Sequence, residues 1–462
     1  MIVMKFGGTS VESAAAIERV ASIVRGQSDR KPVVVVSAMG KTTNKLLDCA
    51  NLAAGGQLEE AWEASRELER FHEREAHAIT RNEDQHDLEN YLKTRFAEIR
   101  SLLGSIHNDL EITPLLWDEI TSYGERLSSY IVTLAFRYFG LPAQFVDSRQ
   151  VVVTDSRHTQ ALPLYNRTYA RLQEKLPPLL EKGIVVMGGF IGSTSDGVTS
   201  TLGRGGSDFS AAIVGAGLTA EEIQIWTDVD GMLTCDPRIL PGGHLIKSIS
   251  FSEAAELAYF GAKVLHPATV LPAVEKNIPV RVLNSRRPEA VGTRIVGDVV
   301  HAENPVKSIA CKRGITIVNI QSLRMLMAHG FLRRIFEVFD RYRTAVDVVT
   351  TSEVSVSLTI DDDRNLPDIE EELRQIAGVN LVRGQALVCL VGEAIRETSG
   401  ISARAFAALK DINVRMVSQG ASLLNITFVV EDADLTKAVA ALHEEFFRAL
   451  DPEVFEQSAV TA

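Results

Sequence analysis

STLGRGGSD, residues 200–208, decides how the rest of the chain is read. Gly203, Gly205 and Gly206 flank Arg204 and precede Ser207 and Asp208. Glycine has no Cβ and tolerates positive φ, so its backbone N–H groups approach an anion closely. Ser207 and Asp208 are helix-capping residue types, and the apolar, Ala-rich run 209–218 behind them reads as a helix. A glycine-rich loop opening a helix suits a phosphate or a carboxylate. Taken alone, the same residues also make a plain surface turn. The neighbouring stretches separate the two readings.

Upstream, GIVVMGGFI (183–191) is a strongly apolar strand whose tail, Gly192-Ser193-Thr194, leads into the loop. Downstream, IQIWTD (223–228) is another, ending in the turn signal at Thr227, Asp228 and Gly231. At the N-terminus, residues 2–6 form a short apolar run interrupted by Lys5. Gly7 and Gly8 follow, then a helix with Ile17, Val20, Ala21 and Val24 at helical spacing. This places Lys5 at a strand's C-terminal end, beside a glycine turn and a helix N-terminus, a phosphate-binding arrangement. It is not a Walker A loop, in which the lysine follows the glycines. A lysine snorkelling from a strand end is the plainer alternative, and the adjoining Gly-Gly favours the phosphate role.

PVVVVS (32–37) is a second buried strand running through a small polar loop into a helix. Ser37 and Thr43 are placed there to donate hydrogen bonds to a small ligand; helix capping by Thr43 or Asn44 explains the stretch as economically. Residues 143–147, 279–284 and 293–296 look like further strands, with a capped helix at 252–260. Arg238, just beyond a strand end, suits bidentate pairing with phosphate, and Lys263 in Gly261-Ala262-Lys263 is a second phosphate-lysine candidate. Residues 57–107 are rich in Glu, Arg and His at helical spacing and read as solvated helices on a charged face. Their histidines make no metal-ligand pattern. In the helix expected at 115–138, with residues 122–125 near its start, Glu125 is a surface charge or a partner for a substrate ammonium; spacing does not decide. Strands alternating with helices through residue 296 imply an α/β unit: an open, mostly parallel sheet with helices on both faces. Ligands of such sheets sit at the strands' C-terminal ends. Lys5, Ser37, Gly192, Asp228 and the glycine-rich loop all fall there.

After residue 305 the pattern changes to strand, helix, strand, strand, helix, strand. Two copies of a small α+β module follow, with strands at 314–320, 345–351, 353–360, 386–391, 414–418 and 424–431 and helices at 332–342, 366–377, 403–410 and 435–447. Neither copy holds a nucleophile–base pair or a metal cluster, so a sensing or dimerising role is expected. The bulk numbers agree with two or three globular domains: 462 residues, 45% of them hydrophobic. A net charge of −12 speaks against a nucleic-acid surface. The four cysteines are widely spaced, without a CxxC pair, as in a reduced, cytoplasmic protein without structural zinc. No apolar run is long enough for a membrane span, and no signal peptide is expected.

KFGGTSV (5–11), SYGE (122–125), TLGRGGSD (201–208), WTDVDG (226–231), FGAKVLHPAT (260–269) and TTSEVSVSL (350–358) together closely resemble the aspartokinase family, nearly end to end. The monofunctional, lysine-sensitive type is the closest likeness, without a fused homoserine dehydrogenase. The resemblance implies an amino acid kinase domain over 1–296, with a helical insertion at 57–110. It implies two ferredoxin-like ACT modules at 313–383 and 384–450, strand 306–311 joining the second, and pairing of modules into a homodimer or a dimer of dimers. It implies ATP-dependent phosphorylation of L-aspartate on its β-carboxylate, with Mg²⁺ carried on the phosphates and no protein metal site. By motif, Lys5, Gly7 and Gly8 contact phosphates, and Asp208 holds Lys5. Arg204 pairs with an aspartate carboxylate and Glu125 with its ammonium, while Ser37 and Thr43 complete the substrate pocket. Thr227, Asp228, Arg238 and Lys263 hold the nucleotide. Met325, Gly330, Phe331, Leu332, Val346, Asp347, Ser352 and Glu353 match the family's lysine pocket. The chain departs at Leu233, where an aromatic beside the adenine is usual, and at Ala328 and Ala345, where hydroxyl residues are usual; another amino-acid effector fits as well. A kinase for another small acid such as glutamate is set against by the tandem modules. A non-catalytic sensor is set against by Lys5, Arg204, Asp208 and Lys263 occurring together.

Overall fold

The computed structural model describes residues 1–260, 267–298, 304–322 and 329–456. The chain divides into two units, Met1–Gly231 with Leu265–Asp298, and Met232–Val264 with Val299–Ala462.

In the first unit, a sheet runs in the order Thr293–Val296, Val280–Asn284, Glu222–Thr227, Ile2–Phe6, Val33–Val36, Ile184–Gly188, Ala143–Val146. All pairs along this run are parallel except that of the first two strands, which is antiparallel. Strand Ile2–Phe6 sits where the path divides, with residues 33–188 on one side and 222–296 on the other. That is where an open α/β sheet forms its ligand crevice. The four valines of Val33–Val36 are fully buried, as expected for a central strand covered on both faces. Side chains alternate across a strand. Met4, Phe6, Val34 and Val36 enter the core built with helices Ala14–Arg25, Thr42–Ala54 and Pro114–Tyr138. Helix Gly206–Leu218 contacts strands Ile2–Phe6, Val33–Val36 and Glu222–Thr227, and Lys5, opposite in parity to Met4 and Phe6, faces it.

Three local expectations are corrected. Residues 57–107 are not simply a solvated face. Helices Leu58–His77 and Asn82–Asp109 bury a stripe that includes Leu68, Leu92, Phe96 and Ile99, and His72 lies in it with no exposure. The helix cap in the glycine-rich loop is Gly205, in the left-handed conformation at φ 72°, so Ser207 and Asp208 stand inside the first turn. The first helix starts only at Ala14, capped by Ser13 and separated from Lys5 by the short 3₁₀ turn Gly8–Ser10.

The second unit holds a six-stranded antiparallel sheet in the order Val349–Thr351, Ser355–Ile360, Val306–Gln321, Gly378–Gly392, Asn425–Glu431, Met416–Gln419. Its two long middle strands pair along nearly their whole length. Val306 to Lys312 lies against Leu387 to Gly392, and Ile317 to Gln321 against Gly378 to Val382. The register shifts between Lys312 and Ile315, around Gly314 at φ 73°. Helices Phe331–Arg341 and Leu366–Arg374 close a core with Val318, Ile320, Val356 and Leu358. Helix Phe251–Tyr259 has a capping box between Ser250 and Glu253, two residues upstream of the cap expected from sequence. Among the described residues, no helix is long and apolar enough to cross a membrane.

Candidate functional site

At the C-terminal ends of the first unit's central strands lies a cleft of about 410 Å³, within the usual range for small-ligand sites. Lys5, Ser37, Thr43, Glu125, Arg204 and Asp208 all line it, so six residues from four separate stretches of sequence meet there. Asn44, Phe190 and Ser207 line it too; sequence reading takes Asn44 and Ser207 only as capping residues and assigns none of the three to a ligand. Phe190 had a signal only in retrospect: it follows a Gly-Gly pair and takes the left-handed conformation, φ 64°, uncommon for a bulky residue. Its backbone N–H donates to Ser210 Oγ at 2.9 Å, which ties it to helix Gly206–Leu218 behind the glycine-rich loop.

Lys5 is 9% exposed, and its Nζ lies 2.6 Å from Asp208 Oδ1. Asp208 stands in the first turn of its helix, where the helix dipole favours a carboxylate. Gly7 is beside this ammonium, since a Cβ there would stand 3.7 Å from Lys5 Nζ, and its N–H donates to Trp226 O at 3.1 Å. At Gly8 a Cβ would come within 2.9 Å of Gly40 O, so only glycine lets the two loops close against each other. Arg204 is exposed on the loop crest between Gly203 (φ 75°) and Gly205, with no ion pair to any described residue. The cleft thus offers a buried cation beside its counter-charge and a second cation free to meet an anion.

Glu125 brings a carboxyl to the same cleft, a group that an incoming cation would ionise. It sits midway along helix Pro114–Tyr138, not near its start. Gly124 allows that helix to seat, because a Cβ there would be 2.7 Å from Ala38 Cβ and 3.1 Å from Thr43 Oγ1. This close packing explains a glycine inside a long helix. Glu125 is 4% exposed; its Oε1 accepts from the Ala38 N–H at 3.2 Å, while Oε2 is buried with no hydrogen-bond partner among the described residues. Burial pushes its carboxyl up to about 8, with the Ala38 N–H and Lys5 pulling the other way. An unmet buried acceptor costs on the order of 1–3 kcal/mol. A ligand ammonium that reached Oε2 would recover that cost, so the cleft suits a small zwitterion carrying an additional acid group.

The residues read as nucleotide contacts are distributed differently. Thr227 ends strand Glu222–Thr227; its carbonyl accepts from Ser285 N at 2.8 Å, and its hydroxyl donates to Asp228 Oδ1 at 3.3 Å. Arg238 belongs to the second unit, where its guanidinium is engaged by Asp236 at 2.6 Å (Nη2 to Oδ2) and 3.0 Å (Nε to Oδ1). Lys263 lies outside the described residues. Those described offer no group of three or more His, Cys, Asp or Glu able to hold a metal ion.

In the second unit, Gly330 caps helix Phe331–Arg341 at φ 77°, Phe331 is buried and Leu332 is 41% exposed. Val346 is half-buried; Ser352 and Glu353 are exposed. Asp347 has a built environment: its side chain is 5% exposed. Oδ1 accepts from the Tyr259 hydroxyl at 3.2 Å, and Oδ2 lies 3.3 Å from Lys312 Nζ. Burial, with Asp361 nearby, raises its carboxyl despite Lys312. Met325 lies outside the described residues.

The chain is similar to known proteins in sequence and in fold. The amino acid kinase family matches residues 1–284, and the ACT domain matches residues 388–446. The chain is 40% identical to aspartokinase 1, chloroplastic, of Arabidopsis thaliana, across 97% of this chain and 80% of that protein. It is 38% identical to lysine-sensitive aspartokinase 3 of Escherichia coli, across 97% and 99%. The crystal structure of E. coli aspartokinase III in complex with aspartate and ADP superposes with a TM-score of 0.79 at 36% identity, covering 97% of this chain and all of that one. The same protein with lysine and aspartate gives 0.82.

Proposed function

This chain belongs to the aspartokinases of the amino acid kinase family, and from that premise we propose which of its residues carry the reaction. The reaction is transfer of the γ-phosphoryl group of ATP to the β-carboxylate of L-aspartate, giving 4-phospho-L-aspartate. The observation that carries the residue assignment is one cleft holding the Lys5–Asp208 pair, the unpaired Arg204 and the orphaned Oε2 of Glu125. These match the ammonium and one carboxylate of aspartate and the charge that develops during transfer.

Glu125 takes the substrate ammonium, and Arg204 a carboxylate. Ser37 and Thr43 complete the pocket, and Asn44 and Ser207 add polar groups to it. The attacking carboxylate is ionised near pH 7, its ordinary value lying near 4, so no general base is needed. Catalysis then rests on alignment and on stabilising charge between nucleophile and phosphoryl group. Lys5, fixed by Asp208, supplies that charge, and Gly7 and Gly8 let the phosphates approach the backbone. ATP brings the phosphoryl group with Mg²⁺ carried on its phosphates; Thr227, Asp228, Arg238 and Lys263 are assigned to the nucleotide.

The second unit is assigned to regulation. L-lysine is proposed as the effector, bound by Asp347 with Met325, Gly330, Phe331, Leu332, Val346, Ser352 and Glu353, a reading supported by the lysine complex of E. coli aspartokinase III. The modules at 313–383 and 384–450, with strand 306–311, are proposed to pair with those of a second copy. Edge strand Val349–Thr351, exposed at all three residues, supports this. The test is a hydroxamate assay with Mg·ATP and L-aspartate, L-glutamate or N-acetylglutamate, with and without millimolar L-lysine. Turnover with aspartate alone, suppressed by lysine, is expected. A folded protein that turned over the other acids equally well would overturn the substrate assignment, and turnover indifferent to lysine would overturn the effector.

A further inference from the structure

Seven residues before Glu125, helix Pro114–Tyr138 carries Asp118, whose side chain has no exposure. It is not among the residues that line the cleft, and its carboxylate has three polar partners. Oδ1 accepts from Thr201 Oγ1 at 2.5 Å and from the Thr159 N–H at 2.9 Å, and Oδ2 meets His158 Nδ1 at 2.7 Å. A carboxylate spends its acceptor sites this way at a place the structure must hold still.

What is held is the glycine-rich loop. Thr201 ends strand Thr199–Thr201 and is followed directly by Leu202, Gly203 and Arg204. Its carbonyl accepts from Ala161 N at 2.9 Å, and Leu202 N donates to Phe190 O at 2.9 Å. Thr159 is itself in the left-handed conformation, φ 70°, which a β-branched residue adopts only when its surroundings impose it. The Thr159 carbonyl stands 3.2 Å from where a Cβ on Gly203 would be. Asp118 therefore grips the loop twice, through Thr201 in the strand that feeds it and through the Thr159 turn that abuts Gly203. Seven residues are nearly two helical turns, so Asp118 and Glu125 project from one face of a rigid rod, about 10 Å apart along its axis.

We propose that Asp118 is a positioning residue for the amino-acid substrate. It ties the loop presenting Arg204 to the helix presenting Glu125, and so sets the spacing between the carboxylate and ammonium contacts. This rests on the assignment of Arg204 and Glu125 to aspartate. Residues that merely stabilised the fold would shift both substrates' parameters together; a spacer between two aspartate contacts moves aspartate alone.

The test is steady-state kinetics of the full chain with Thr201→Val, Asp118→Asn, Asp118→Ala, the double variant Asp118→Ala/Thr201→Val, and Arg204→Ala, each checked for folding by thermal melt. Displacement of a binding group by a fraction of an ångström predicts a rise in KM for aspartate of roughly ten- to hundred-fold in Asp118→Ala, smaller in Thr201→Val. KM for ATP stays within about two-fold. Asp118→Asn keeps an oxygen for Thr201 and Thr159 and recovers part of the loss. The double variant is no worse than Asp118→Ala alone, because both act through one contact. If Asp118→Ala does not fold, Thr201→Val and Asp118→Asn carry the test. Unchanged aspartate KM in those folded variants, or aspartate and ATP KM rising in parallel, overturns the proposal while Arg204→Ala still raises aspartate KM. If Arg204→Ala leaves aspartate KM unchanged, the underlying assignment of Arg204 fails instead.

Discussion

Lys5 Nζ and Asp208 Oδ1 lie 2.6 Å apart, joining the first strand to the first turn of a helix two hundred residues later. Lys5 is 9% exposed, so its charge is held by this partner and not by bulk water. The pair keeps a cation at the C-terminal edge of the sheet in an environment where electrostatic stabilisation is strong. The consequence for the reaction is a separable one. Lys5→Ala removes a group that acts on charge developing during transfer, so kcat falls by roughly 10²–10³-fold while KM for aspartate changes little. Steady-state kinetics on a folded Lys5→Ala protein checks this. Near-normal kcat removes Lys5 from the chemistry.

Glu125 gives a prediction with a pH signature. Burial places its carboxyl at about 8 in the ligand-free protein, above its ordinary 4.5. A group that holds its proton more tightly when folded contributes stability that is complete below its unfolded value and is lost as pH rises toward the folded one. The ligand-free wild type therefore loses stability between pH 4.5 and 8 through this group. Glu125→Gln, which cannot ionise, escapes that loss. Its melting temperature relative to wild type rises across that window, while added L-aspartate no longer stabilises it. Wild-type and Glu125→Gln melting curves that stay parallel from pH 5 to 8.5 would contradict the burial argument.

The parts of this site legible in the sequence are those whose logic is local. KFGG and GRGGSD announce themselves because a strand end, a glycine turn and a helix start are consecutive in the chain. The alternation of strands and helices carried the class of the first sheet for the same reason. Glu125 was ambiguous because its meaning depends on Ala38 and Thr43, more than eighty residues upstream, which pack on Gly124. Asp118 gave no signal, since its partner Thr201 is 83 residues away. The caps were misplaced at Gly205 and Ser250 because residue types mark a cap only to within a turn. A glycine in the left-handed conformation can end the coil where a serine was expected to.

Asp347 sets the expectation for regulation. Its carboxylate is held between the Tyr259 hydroxyl and the Lys312 ammonium, and with a 5% exposed side chain it has a fixed direction. If it receives an effector ammonium, Asp347→Asn removes a charge-assisted contact of about 1.5–3 kcal/mol, which is roughly a ten- to hundred-fold rise in the L-lysine concentration giving half inhibition. Dose–response curves with aspartate at its KM measure this. An unshifted curve would move the effector away from Asp347.

His72 carries a prediction about acid stability. It is fully buried beside Phe71 and Phe96, with Nδ1 2.8 Å from Leu68 O and Nε2 3.4 Å from Thr42 Oγ1. Burial lowers its pKa from 6.5 to about 4, with Lys45 acting in the same direction and the Leu68 carbonyl against it. The folded protein therefore holds a neutral imidazole that the unfolded chain would protonate. A depressed folded value means that the stability contributed is present above pH 6.5 and is lost as pH falls toward 4. His72→Leu keeps an apolar side chain of comparable size in the stripe and has nothing to titrate. Its melting temperature is expected to fall less steeply than that of the wild type between pH 6.5 and 4, whatever the offset at neutral pH from the lost hydrogen bond. The difference between the two curves cancels the carboxylates they share. A difference that stays constant through that window would show that His72 is not the group whose protonation loosens the helical layer.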